Sequence, residues 1–104
     1  MMTCSKTYPD VPFAHRQHRH SGHCSLIHGH NWTLKLAFAC ERLDKNGFVV
    51  DFGNLKYIKQ WIADHIDHAC MLAADDPLKD RIVKAVPEVY RLYEVPNTSC
   101  EGIS

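Results

Sequence analysis

Between Trp32 and Glu41 the stretch WTLKLAFACE alternates, with Trp32, Leu34, Leu36, Phe38 and Cys40 on one side and Thr33, Lys35, Ala37, Ala39 and Glu41 on the other. A period of two is that of a half-buried β-strand. His28 and His30 share the parity of the apolar face, so an extended chain starting at His28 projects both imidazoles to one side. Gly29 leaves the space between them free of a side chain. Downstream, Lys45-Asn46-Gly47 reads as a turn tip, and Phe48-Val49-Val50 leads to Asp51, an N-cap candidate. Phe52, Leu55, Ile58, Ile62 and Ile66 then recur at three- and four-residue intervals, predicting an amphipathic helix that ends between Ile66 and His68. Residues 69–88 (ACMLAADDPLKDRIVKAVPE) read as loop with at most one short helical turn, and VYRLYEV (89–95) as a short strand before Pro96.

The chain closes on a helix start. Thr98-Ser99-Cys100-Glu101 fits a capping box, with Thr98 as N-cap and Glu101 three residues on. An isolated helix needs about 12 residues even to be marginal, and the sequence stops at Ser104. The expectation is therefore a single domain over 1–104 that is incomplete at its C-terminus.

Composition narrows the class. A chain of 104 residues that is 45% hydrophobic suits one small domain with a modest core. Twelve Lys+Arg balance twelve Asp+Glu, so no overall basic field points to nucleic acid or to an anionic membrane. No apolar run approaches the roughly 18 residues of a membrane-spanning helix, and the opening MMTCSKTYPD lacks the core of a secretory signal. The reading is cytoplasmic. Five cysteines without a C-x-x-C pair suit reduced thiols better than disulfides or a zinc knuckle.

The candidate chemistry centres on eight histidines. His15, His28 and His30 can offer three neutral imidazoles to zinc and leave a fourth position open, as in a catalytic site. The H-x-H spacing alone is a weak signal, and His18, His20 and His23 are competing candidates in a stretch that reads equally well as a solvated loop. Cys24 is either an inert small core residue or a thiolate acting as base or nucleophile. Asp67-His68 is either a helix-end pair in which the imidazole answers the dipole, or a carboxylate orienting a catalytic histidine.

These signals fall together in one pattern. FAHR (13–16), CSLIHGHN (24–31), GFVVDFGNLK (47–56), DH (67–68) and NTSCEG (97–102) resemble, in order, the motifs of the 6-pyruvoyltetrahydropterin and 6-carboxytetrahydropterin synthase family. The C-x-x-x-H-x-H spacing resembles the carboxy branch, which serves queuosine and other 7-deazapurine synthesis. The resemblance implies zinc on His15, His28 and His30, a catalytic thiol at Cys24, a proton relay through Asp67 and His68, and pterin contacts at Thr98 and Ser99. It implies an α+β fold, the T-fold, in which an antiparallel sheet is covered by two helices and chains assemble into homo-oligomers, trimers paired as hexamers. On that pattern this chain lacks the second long helix, the last two strands and a pterin-anchoring glutamate.

The activity implied is conversion of 7,8-dihydroneopterin triphosphate to 6-carboxy-5,6,7,8-tetrahydropterin, acetaldehyde and triphosphate. Three alternatives stand beside it: triphosphate elimination of the pyruvoyl type, an inactive zinc-binding remnant, and a small protein whose histidines serve metal storage or an interaction surface.

Overall fold

A computed structural model describes residues 1–104. Four strands and three helices follow one another as β1 (Met2–His15), β2 (His28–Cys40), α1 (Lys56–His65), β3 (Ala69–Ala73), α2 (Lys79–Ala85), β4 (Arg91–Val95) and α3 (Cys100–Ile103). They form one sheet in the order β2-β1-β3-β4. The architecture is α+β.

The sheet is mixed, which corrects the all-antiparallel expectation. β1 and β2 run antiparallel, whereas β1 with β3 and β3 with β4 run parallel. The cause lies in the connections. A helix intervenes between β3 and β4, and such a crossover returns the chain to the edge from which it started, as parallel pairing requires.

β2 begins at His28, as its alternation predicts, and its half-buried positions are the even-numbered residues from Trp32 to Cys40. β3 corrects the loop reading of residues 69–88, and so does α2. All five residues of β3 are buried. A strand covered on both faces has no polar side, so its sequence shows no alternation. β1 carries Pro9 and Pro12, residues that argue against a strand, yet it runs for 14 residues.

The helical stripe is real but divided. Phe52–Asn54 form a single 3-10 turn, with the Gly53 N–H donating to Asp51 Oδ1 at 2.8 Å, and α1 begins only at Lys56. Ile62 and Ile66 from that stripe meet Tyr8, Val11 and Phe13 of β1, Ala69 and Met71 of β3 and Val95 of β4 in the core. The capping box also needs correction. Ser99, not Thr98, is the N-cap of α3, its Oγ accepting from the Gly102 N–H at 3.0 Å. No helix is long and apolar enough to cross a membrane.

Candidate metal centre

Strand register assembles the site. His15 closes β1 and lies opposite His28, which opens β2, while Phe13 lies opposite His30. Paired residues share a face of an antiparallel sheet, so the three imidazoles converge. Ring centroids stand 4.6 Å apart for His15 and His28, 5.4 Å for His15 and His30, and 4.9 Å for His28 and His30. The ligating nitrogens all lie within 4.8 Å of one another.

Two carbonyls set the tautomers. His15 Nδ1–H donates to the Thr98 carbonyl at 2.8 Å, and His28 Nδ1–H to the Leu26 carbonyl at 2.7 Å. A carbonyl oxygen only accepts, so Nδ1 must carry the proton in both rings. Each Nε2 is then left with a lone pair, the form in which imidazole binds a metal. Burial pushes the His15 pKa down against the opposing effect of its bond to Thr98, and the neighbouring His28 and His30 lower it further. His15 is only 2% exposed.

Trp32 closes the inner side of the cluster. Its ring stands edge-on to both His15 and His30, at 5.2 Å in each case, and stacks on Phe13 at 4.5 Å. Its Nε1–H donates to the Phe13 carbonyl at 3.0 Å. The donor set, three neutral imidazoles without a carboxylate, fits a four-coordinate ion with one position left for water or substrate.

The segment joining β1 to β2 is fastened from below. Arg16 donates through Nε and Nη2 to both oxygens of Asp76, at 2.5 and 2.8 Å, and through Nη1 to the Ser25 carbonyl at 2.8 Å. The Gln17 N–H donates to the Cys24 carbonyl at 2.9 Å. Cys24 therefore sits in a 3-10 turn, His23–Ser25, drawn back to the strand end that bears His15. The guanidinium beside Asp76 holds that carboxyl below its ordinary pKa, against the opposing effect of burial.

His18, His20 and His23 stay outside the cluster. His18 faces Asp75 at 3.4 Å, and His20 Nδ1 accepts from the Gly22 N–H.

A model of the 6-pyruvoyl tetrahydropterin synthase family matches residues 6–104. The chain belongs to this family. It is 36% identical over 77 residues to the 6-carboxy-5,6,7,8-tetrahydropterin synthase of Rickettsia conorii, covering 73% of this chain and 55% of that protein. The synthase of the same name from Bacillus subtilis is 42% identical over 45 residues, 43% of this chain and 31% of that one. The chain thus spans about half the length, or less, of these curated relatives. An uncharacterised protein of Wolinella succinogenes shares the fold at a TM-score of 0.69 and 22% identity, over 84% of this chain and 53% of that structure.

Within this family member the remaining candidate residues stand outside the three-histidine set. His68 adopts a left-handed φ of 61° just after α1, and its Nδ1–H donates to Asp67 Oδ1 at 2.6 Å. It borders a shallow cleft with Pro12, Phe13, Ala14, Gly29, His30 and Asn31, and so shares that cleft with one histidine of the cluster. Thr98 is buried, with its hydroxyl donating to the Arg16 carbonyl at 2.6 Å and its own carbonyl taken by His15. Ser99 caps α3.

Arg16, Asp76, Trp32 and the carbonyls of Leu26 and Thr98 are the supporting groups that the sequence reading did not single out. Arg16 had a signal, since it stands in FAHR beside His15. Asp76 had a local one only, as a turn residue of ADDP whose Oδ1 also accepts from the Leu78 N–H at 2.9 Å.

Proposed function

We propose that this chain acts in zinc-dependent 6-carboxy-5,6,7,8-tetrahydropterin synthesis, taking 7,8-dihydroneopterin triphosphate to 6-carboxytetrahydropterin, acetaldehyde and triphosphate. The observation that carries the reading is the convergence of His15, His28 and His30, two of them held with Nε2 free by backbone carbonyls. The names of the relatives from Rickettsia and Bacillus support the carboxy product. Zinc, when bound by those three residues, supplies Lewis-acid polarisation of the substrate's side-chain hydroxyls.

The protein's own groups divide the remaining work. Cys24, on the turn that Arg16 and Gln17 draw toward His15, moves the proton at the dihydropterin side chain. Asp67 orients His68 as general acid/base through their 2.6 Å bond. Thr98 and Ser99 meet the pterin through the segment that leads into α3. The reading includes a homo-oligomer in which the relay of one copy works with the Cys24 of another. The outer edge of β2, which pairs only with β1, favours such an assembly.

The test is incubation of the zinc-loaded protein with 7,8-dihydroneopterin triphosphate, with 6-carboxytetrahydropterin and acetaldehyde quantified by chromatography. Cys24→Ala is expected to keep its zinc and lose most turnover. Turnover undiminished by that substitution, or a pyruvoyl product in place of the carboxy one, contradicts the reading.

A further inference from the structure

β1 changes face part-way along. From Cys4 to Tyr8 its even-numbered residues are the more buried, whereas Val11, Phe13 and His15, all odd-numbered, face the core. The register shows the cause. Tyr8 pairs with Leu34 and Val11 with Trp32, so Pro9 and Asp10 together oppose the single residue Thr33. This is a β-bulge, which inserts one residue and reverses the alternation beyond it. β2 has no such irregularity, and its even-numbered residues from His28 to Cys40 share one face, half-buried except at His30.

We propose that the Pro9–Asp10 bulge is the positioning device of the three-histidine cluster. An uninterrupted β1 would continue the parity of Tyr8 and direct Ala14 inward, leaving His15 on the opposite face from His28 and His30. One extra residue brings His15 onto their side. The proposal rests on the metal reading only for its consequence, because the placement of His15 is a property of the strand itself.

Three features hold the bulge. Pro9 has no N–H to lose from the ladder, and a bulge is one of the few places within a sheet that accepts it. Asp10 takes a left-handed φ of 59°, a conformation open mainly to Gly, Asn and Asp. Asn31, on β2 between His30 and Trp32, donates through Nδ2 to Asp10 Oδ1 at 2.9 Å. The same residue that locks the bulge therefore adjoins a histidine of the cluster. Asp10 and Asn31 act through His15 and are positioning residues, with no contact to substrate claimed for them.

The experiment is a substitution series at residue 10 in the whole chain, with Asn31→Ala beside it and Thr7→Val, an exposed position of β1 before the bulge, as control. Two readouts are taken. The first is cobalt(II) titration, in which a tetrahedral three-imidazole site reports by intense visible absorption. The second is the nuclear Overhauser effect between the His15 and His28 ring protons in the metal-free protein, which needs no metal at all. Asp10→Asn, compatible with positive φ and still offering an acceptor to Asn31, is expected to keep both signals, and Asp10→Gly, which keeps the φ but loses the acceptor, to weaken them as little as Asn31→Ala does. Asp10→Val is expected to weaken cobalt binding by about tenfold or more, the scale on which supporting residues act on a metal site, and to lose the ring contact. Asn31→Ala should fall between, and Thr7→Val should match the wild type.

If Asp10→Val fails to fold, the order Asn, Gly, Ala at position 10 carries the test, and both signals must decline toward Ala. A folded Asp10→Val or Asp10→Ala variant with the wild-type cobalt affinity, spectrum and ring contact overturns the proposal. A wild type that shows the ring contact but binds no cobalt refutes the metal reading instead, and the bulge is then judged on the contact alone.

Discussion

At the end of β1 a single residue joins three other pieces of chain, since the Arg16 guanidinium bonds Asp76 twice and the Ser25 carbonyl once, while its backbone carbonyl accepts from Thr98. The Asp76 side chain is fully buried and that of Arg16 nearly so. Removing one partner of such a pair leaves the other charge buried without compensation, so Asp76→Asn should cost about 3 kcal/mol at neutral pH. The pH dependence has a definite sign. The folded pKa of Asp76 lies below its unfolded value because of Arg16, so the pair's contribution is present above the unfolded carboxylate range, near ~3.9, and fades as the pH falls through the folded value. Urea unfolding of wild type and Asp76→Asn at pH 7 and in the acid range should show the gap between them closing on acidification. A gap that is constant or widens toward acid contradicts the assignment. His28 and His30 were legible in the sequence from strand parity and the family motif, and His15 from FAHR alone. Arg16 and Asp76 were not legible as a pair, because no local pattern links residues separated by 60 positions.

Among the elements, legibility followed one-sided burial. β2 and the stripe of α1 each turn one face to the core and the other to solvent, and their periods of two and of three to four showed it. β3 is buried throughout, so ACMLA carried no alternation and passed for loop. β1 was hidden by its two prolines and by the reversal of parity at the bulge. The N-cap moved from Thr98 to Ser99 because the Thr98 hydroxyl and carbonyl are committed to Arg16 and His15. These placements give two expectations. Leu72, at the centre of β3, is wholly buried, so Leu72→Ala should destabilise by about 3–5 kcal/mol, as truncation of a core leucine that leaves a cavity does. Leu26, on the exposed loop before β2, should tolerate Leu26→Ala within about 0.5 kcal/mol, because only its carbonyl serves His28. Denaturant midpoints of the two variants check both, and equal midpoints would count against the burial pattern described here.

The whole molecule is long and thinly cored. Its radius of gyration is 16.9 Å and its extents are 52 × 28 × 21 Å, against about 13 Å for a compact domain of this length. Tyr57 and Trp61 of α1 remain exposed. Apolar side chains left in water beside an unpaired strand edge favour association. Sedimentation velocity should accordingly show a defined oligomer, and a strictly monomeric protein at micromolar concentration would remove the support for a relay shared between copies. Zinc that binds only the folded state should also stabilise it, by about 2.7 kcal/mol when free metal exceeds Kd a hundredfold. A chelator should lower the melting temperature of the wild type and leave that of His28→Ala unmoved.

The central claim is that register places His15, His28 and His30 around one open metal position. Zinc content per chain, measured by atomic emission after dialysis, tests it most directly in wild type, in the alanine variants of those three residues, and in His20→Ala and His23→Ala. The account predicts one zinc per wild-type chain, loss of most of it in each of the first three variants, and full retention in the last two. Zinc retained when His15, His28 or His30 is removed, or lost when His20 or His23 is, would contradict it.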